Sequence, residues 1–205
     1  MSHSVKETRL HIFLLLSLVA VFVWSFIGCF DIFTWVWETL PVVIGVTVLV
    51  SVYRKFRLTG LAYVLVWIHV IILLVGAHYT YSRMPLFDWI RDAFDLSRNH
   101  YDRLGHFAQG FVPAIIAREV LLRKSPLRRG GWLLSIVICF CLAVGCLFEL
   151  FEWLVAVASG SAAAAFLAIQ GDVWDTQKDM ALCLAGAVVS LLVLSKLHDK
   201  ALKKI

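Results

Sequence analysis

The sequence predicts an all-α fold: a polytopic membrane bundle of six transmembrane helices with both termini cytoplasmic. Three observations carry this expectation. The chain of 205 residues is 61% hydrophobic and only 16% charged, with a mean hydropathy of +0.85. Soluble domains are nearer ~45–50% apolar and about a quarter charged. The apolar residues fall into six runs, most of them close to the ~20 residues that cross a ~30 Å hydrocarbon core at ~1.5 Å per residue. Finally, the basic residues gather on one side of those runs.

The first span is expected at about residues 11–30, behind a polar start carrying Lys6 and Arg9. The run is long for the ~7–15-residue apolar region of a cleaved signal, so it reads as a membrane helix. The second covers about 37–53, with Pro41 in its first turn, and ends at Arg54, Lys55 and Arg57. The third covers about 61–81. Residues 82–102 form a mixed-charge loop or interfacial helix. The fourth span, about 105–122, ends in a basic loop with Arg123, Lys124, Arg128 and Arg129. The fifth covers about 132–157, followed by a turn of small residues at Ser159–Ala165. The sixth covers about 179–197. Together they make one domain over residues 1–205, with no soluble module or repeat.

Of the 19 basic residues, only Arg83, Arg91, Arg98, Arg103 and Lys178 fall on the side that holds the 82–102 and 159–178 segments. The positive-inside rule therefore places both termini in the cytoplasm and those segments outside. This bias also accounts for the net charge of +5, so the charge does not argue for nucleic-acid binding. The five cysteines contain no Cys-x-x-Cys pair and read as small buried apolar residues. No phosphate-binding loop and no Gly-x-Ser-x-Gly elbow occurs.

The polar residues inside the spans are the functional signal. Counting from the cytoplasmic end of each helix, His78 stands above Leu61, His106 above Arg123, and Asp179 above Lys196. Glu149 and Glu152 stand above Trp132, and Glu38 above Arg54. All come out at roughly 24–30 Å, the extracytoplasmic boundary of the core. Asp102 and His106 are spaced i, i+4, Glu149 and Glu152 i, i+3, and Asp175 and Asp179 i, i+4, so each pair shares a helix face. Helix bundles build metal sites from such inward pairs, and carboxylates in the hydrocarbon zone are costly unless paired, hydrated or coordinated.

Asp102, His106, Glu149 and Asp179 are thus the expected ligands of a divalent metal. Glu149, Glu152 and Asp175 are the expected catalytic carboxylates, and His78, Arg103, Asp172 and Lys178 the expected substrate contacts. Carboxylates with histidine suit Zn²⁺, Mn²⁺ or Fe²⁺, and an all-oxygen subset suits Mg²⁺ or Ca²⁺. The bland alternatives are that Asp102, Asp172 or Asp175 cap helix starts, and that Glu149 and Glu152 pair with Arg98, Arg103 or Lys178.

The segments Tyr-Asp-Arg-Leu-Gly-His-Phe-Ala-Gln-Gly-Phe (101–111), Phe-Glu-Leu-Phe-Glu-Trp (148–153) and Gln-Gly-Asp-Val-Trp-Asp-Thr-Gln-Lys-Asp-Met (170–180) resemble the YjdF-type bacterial inner-membrane protein family. Gly-Ala-His-Tyr-Thr-Tyr (76–81) and Ser-Arg-Asn-His-Tyr-Asp-Arg (97–103) fit the same pattern. The resemblance spans nearly the whole chain and implies a bacterial inner-membrane, multi-pass protein. It supplies no reaction, since that family is catalogued as a domain of unknown function. More distantly, the order Asp-x-x-x-His, Glu, Asp is similar to VanZ-like proteins, which makes Asp102, His106, Glu149 or Glu152, and Asp175 or Asp179 the equivalent positions.

Three functions remain in view. The first is a metal-dependent enzyme acting on a lipid-linked or envelope substrate. The second is a cation- or proton-binding transporter, although no inverted repeat is visible. The third is an accessory membrane protein whose polar cluster locks the bundle.

Overall fold

The computed structural model describes residues 3–160 and 169–205. Among them it contains seven α-helices and no strand: α1 His3–Phe26, α2 Ile32–Val52, α3 Gly60–His78, α4 Pro85–Ala93, α5 Tyr101–Lys124, α6 Gly131–Ser159 and α7 Asp175–Leu202. Five of these (α1, α2, α3, α6 and α7) are long and apolar enough to cross a membrane. The short α4 lies in the 82–102 segment, beginning at Pro85, whose fixed φ suits a first helical position.

Helix α5 is as long as α1 but less apolar, because it carries charge at both ends and is enclosed by its neighbours. Half of its 24 residues are buried. It packs most extensively on α7 and also on α3 and α6, while α1 and α2 pack on α3. Outward faces are apolar, as a lipid-facing surface requires: Trp132 is 80% exposed and Leu192 77%.

Three apolar clusters hold the layers together. Leu18, Val42, Val70 and Leu74 join α1, α2 and α3. Ala62, Leu65, Val112 and Ile115 join α3 to α5. Ala114, Val137, Cys141, Ala187 and Leu191 join α5, α6 and α7. The α5–α7 seam is closest, because Gly110 lies on the Cys183 carbonyl and Gly186 on the Phe107 carbonyl, with no room for a Cβ at either place. Small residues let membrane helices approach in this way.

Several boundaries differ from the sequence expectation. Asp31 accepts the Thr34 N–H at 2.7 Å and starts α2 at Ile32, so Pro41 lies inside the helix rather than in its first turn. Helix α7 starts at Asp175, not Asp179, and its N-cap is Trp174. Neither Asp172 nor Asp175 caps it. Asp102 lies within the first turn of α5, behind the N-cap residue His100. Of the expected Ser159–Ala165 turn, Ser159 ends α6 and residues 161–165 lie outside the described residues.

At the end of the bundle that holds the start of α1 and the end of α7, Glu119 is fully buried. It accepts hydrogen bonds from Thr59 N (2.9 Å), Thr59 Oγ1 (2.7 Å) and Arg123 (2.7 Å), and pairs with His198 Nε2 at 3.0 Å. This knot ties α3, α5 and α7 together and is satisfied within itself. The candidate site lies at the opposite end.

Candidate functional site

The site is built mainly from the first turns of α5 and α7 and the last turns of α6. The loop entering α5 supplies Arg98, whose Nη1 donates to Asp175 Oδ1 and whose Nη2 lies 3.3 Å from Asp102 Oδ2. Arg103, one turn further, reaches three aspartates at once: Asp172 at 2.8 Å, Asp175 at 2.7 Å and Asp179 at 2.9 Å. The planar guanidinium suits such multidentate contact. The 169–174 loop is clamped to the α5 entry by a reciprocal amide pair, Asn99 N to Gln170 Oε1 at 2.9 Å and Gln170 Nε2 to Asn99 O at 3.0 Å. Asp172, Asp175 and Asp179 are therefore one half of an arginine–aspartate network, with Arg98 only 4% exposed.

The other half is a carboxylate–imidazole group. His106 Nδ1 lies 3.0 Å from Gln109 Oε1, and Nε2 is on the other edge of the ring. That nitrogen points at two carboxylates, Asp102 Oδ1 at 3.5 Å and Glu149 Oε1 at 3.6 Å. Glu149 Oε1 is buried without a hydrogen-bond partner, an expensive condition for a carboxylate. The nearest ligand atoms of Asp102, His106 and Asp179 all lie within 4.8 Å of one another, and all three residues are buried. A set of one imidazole and several carboxylates fits a divalent first-row metal. The Gln109 contact is the kind of outer partner that fixes a ligating ring.

Glu152 and Glu38 line the same cavity as Asp102 and His106, and so does Tyr81. The positive φ values of Thr80 (53°) and Tyr81 (52°) turn the chain after α3, and the Tyr81 ring fits against Gly76, where a Cβ would overlap it. Of the residues singled out from sequence, Asp102, Arg103, His106, Glu149, Asp172, Asp175, Lys178 and Asp179 come together here, with Glu152 on the adjoining cavity wall. His78 does not join them. Its ring stacks on Trp24 with centroids 4.7 Å apart, and its Nδ1 lies 3.0 Å from the Ser25 carbonyl oxygen. The arginines pair with aspartates, leaving Glu149 facing His106.

Sequence reasoning left Arg98, Gln109 and Glu38 out of the site. Each had a signal: Arg98 lies i−4 from Asp102, Gln109 lies i+3 from His106, and Glu38 stands at the height of the other acids.

Outside the spans, two groups beside the site are shifted from their ordinary range. The Lys178 ammonium, 2.7 Å away, and then the Trp174 N–H hold the Asp172 carboxyl below the usual carboxylate range. Burial, followed by the charges of Arg98, Arg103 and Lys178, holds His100 low and hence neutral at pH 7. A lowered carboxyl pKa stabilises the fold above its unfolded value of ~3.9, and that contribution is lost as pH falls through the folded value. Asp172→Asn should therefore lower the thermal midpoint at pH 7, and the gap to wild type should close below about pH 4. Paired unfolding curves across that range check it; a gap that persists at the acid end contradicts the assignment.

These features define a class, a multi-pass helical membrane protein with a buried acid, arginine and histidine cluster at one end of its bundle. The chain belongs to the family described as "Predicted membrane protein (DUF2238)", whose model matches residues 10–200. It is 41% identical over 189 residues to "Inner membrane protein YjdF" of Escherichia coli (strain K12), covering 92% of this chain and 90% of that protein. It is accordingly a multi-pass inner-membrane protein. No solved structure matches it.

Proposed function

We propose that this protein is a metal-dependent enzyme of the outer face of the inner membrane, acting on a lipid-linked or envelope substrate. Helix α5 is the sixth span in this reading, and the excess of Lys and Arg toward the end holding both termini puts that end in the cytoplasm. The observation that carries the proposal is His106 Nε2 facing Asp102 and Glu149 at 3.5 and 3.6 Å, with the second ring nitrogen 3.0 Å from Gln109 Oε1. Two ligands bound at ~2.0–2.2 Å around a tetrahedral ion stand at about this separation.

Asp102, His106, Glu149 and Asp179 hold the ion, which supplies Lewis acidity and an activated water. Glu152, on the cavity wall beside them, is positioned as the general base. Asp175 and Asp172 engage Arg98 and Arg103 and keep those guanidinium groups oriented beside the site. A purely structural lock accounts for this arginine–aspartate half of the cluster. It gives no partner to Glu149 Oε1.

Metal analysis of the purified full-length protein tests the reading. One divalent ion per chain is expected, lost in His106→Ala and in Glu149→Gln. Gln109→Leu should weaken its affinity by roughly 10–100-fold, and His78→Phe should leave it unchanged. A wild-type protein that neither carries nor takes up Zn²⁺, Mn²⁺ or Fe²⁺ overturns it.

A further inference from the structure

The acid–histidine cluster is not sealed. Glu38, Asp102, His106 and Glu152 form one end of a cavity of about 470 Å³ that continues along the bundle between α2, α3, α5 and α6. Along α2 it runs from Glu38 to Leu49, which at ~1.5 Å per residue is ~16 Å into the hydrocarbon zone. Beyond the cluster its walls are mainly apolar, with Val42, Val46, Val70, Val112 and Ile116 among them. His69 is an exception, and its Nε2 is buried without a hydrogen-bond partner.

Three features keep this space open. Both intrahelical prolines, Pro41 of α2 and Pro113 of α5, line it, and each removes a donor from its helix ladder. Helix α2 packs chiefly on α3; toward α6, Trp37 meets Phe151 with ring centroids 5.8 Å apart. Gly45 also lines the cavity, and a Cβ there would meet nothing within 4 Å. Val48 of α2, 53% exposed, and Val144 of α6 lie on the cavity wall, so the space adjoins the bilayer.

We infer that this crevice binds the hydrocarbon chain of a membrane lipid, which enters sideways between α2 and α6 and presents its head to Asp102, His106 and Glu152. The inference rests on the proposed enzyme reading for the chemistry done at the head, and on the cavity alone for the chain. It makes the substrate a long-chain amphiphile taken from the membrane rather than a soluble molecule. The polar end meets the head, and the crevice selects for a chain.

Photolabelling tests it. The full-length protein is reconstituted in vesicles of phosphatidylethanolamine and phosphatidylglycerol, with a fraction of the latter carrying a diazirine at the end of one acyl chain. Cross-links are then mapped by mass spectrometry. Labels are expected on the inner walls at Val46, Leu49, Val112 and Ile116, in addition to the outward-facing Leu192. Gly45→Trp, which fills the crevice from a position with free space, should abolish the wall labels and keep both the Leu192 label and the bound metal. Gly45→Leu serves in its place should the larger side chain prevent folding. Labels confined to outward faces, or wall labels that survive both variants, overturn the inference. Wall labels on a protein that binds no metal uphold the crevice and overturn the enzyme reading instead, whereas metal without wall labels does the reverse.

Discussion

Gly110→Val and Gly186→Val are each expected to prevent the bundle from closing, and they should be among the most damaging single substitutions in the protein. A Cβ on Gly110 would overlap the Cys183 carbonyl oxygen, and one on Gly186 would overlap the Phe107 carbonyl oxygen and crowd the Phe111 nitrogen. In both cases the obstruction is backbone, so no rotamer change relieves it. Overpacking a well-packed core costs about 1–3 kcal/mol where side chains can shift, and a seam made of backbone has less freedom than that. Because α5 carries Asp102 and His106 while α7 carries Asp175 and Asp179, separating them also dismantles the site. Thermal unfolding in detergent should show a large fall in midpoint for either variant, accompanied by loss of bound metal. Gly45→Val, with no atom near its Cβ, should change the midpoint little. Equal midpoints for all three would mean that the α5–α7 seam is not what holds the bundle.

Arg98→Ala is the second large effect. The Arg98 side chain is 3% exposed and its guanidinium stands between Asp175, Asp102 and Asp172. Removing one partner of a buried ion pair costs about 3–5 kcal/mol, because the carboxylates left behind stay buried without their counter-charge. Arg98→Lys returns the charge without the planar fork and should recover part of that loss. Lys178→Ala removes a salt bridge whose lysine is 53% exposed, and exposed pairs contribute only ~0–1 kcal/mol. Equilibrium unfolding of the three variants should rank them Arg98→Ala, Arg98→Lys, Lys178→Ala in decreasing severity. An Arg98→Ala protein as stable as Lys178→Ala would show that the network is solvated and structurally idle.

Much of this architecture was legible in the residue pattern, for a physical reason. Apolar runs of spanning length have few alternatives to a helix, and acids placed at one depth in several helices must meet when the helices pack. Hence Asp102, His106, Glu149, Asp175 and Asp179 converge as their spacing suggested, with Glu152 on the neighbouring wall. Depth, however, says nothing about direction. His78 lies at the same level but on a face of α3 that turns toward α1, where Trp24 and Ser25 take it up. Apolarity likewise understates α5, which is polar because it is surrounded by protein rather than lipid. Helix α7 starts four residues before the expected position because Asp175 looks like a loop residue until Arg98, in the loop entering α5, and Arg103 of α5 supply its partners. The crevice beside the site left almost no trace in the sequence, since an empty space between helices has no residues of its own. Pro41, Gly45 and Pro113 were its local marks.

X-ray absorption at the metal edge of the purified full-length protein reads the proposed centre directly. One imidazole nitrogen together with carboxylate oxygens at ~2.0–2.2 Å is the expected first shell. The outer scattering of the imidazole ring should be missing from any metal that His106→Ala retains. A first shell of oxygens alone in the wild type, or a metal whose spectrum is the same with and without His106, contradicts a centre built on His106, Asp102, Glu149 and Asp179.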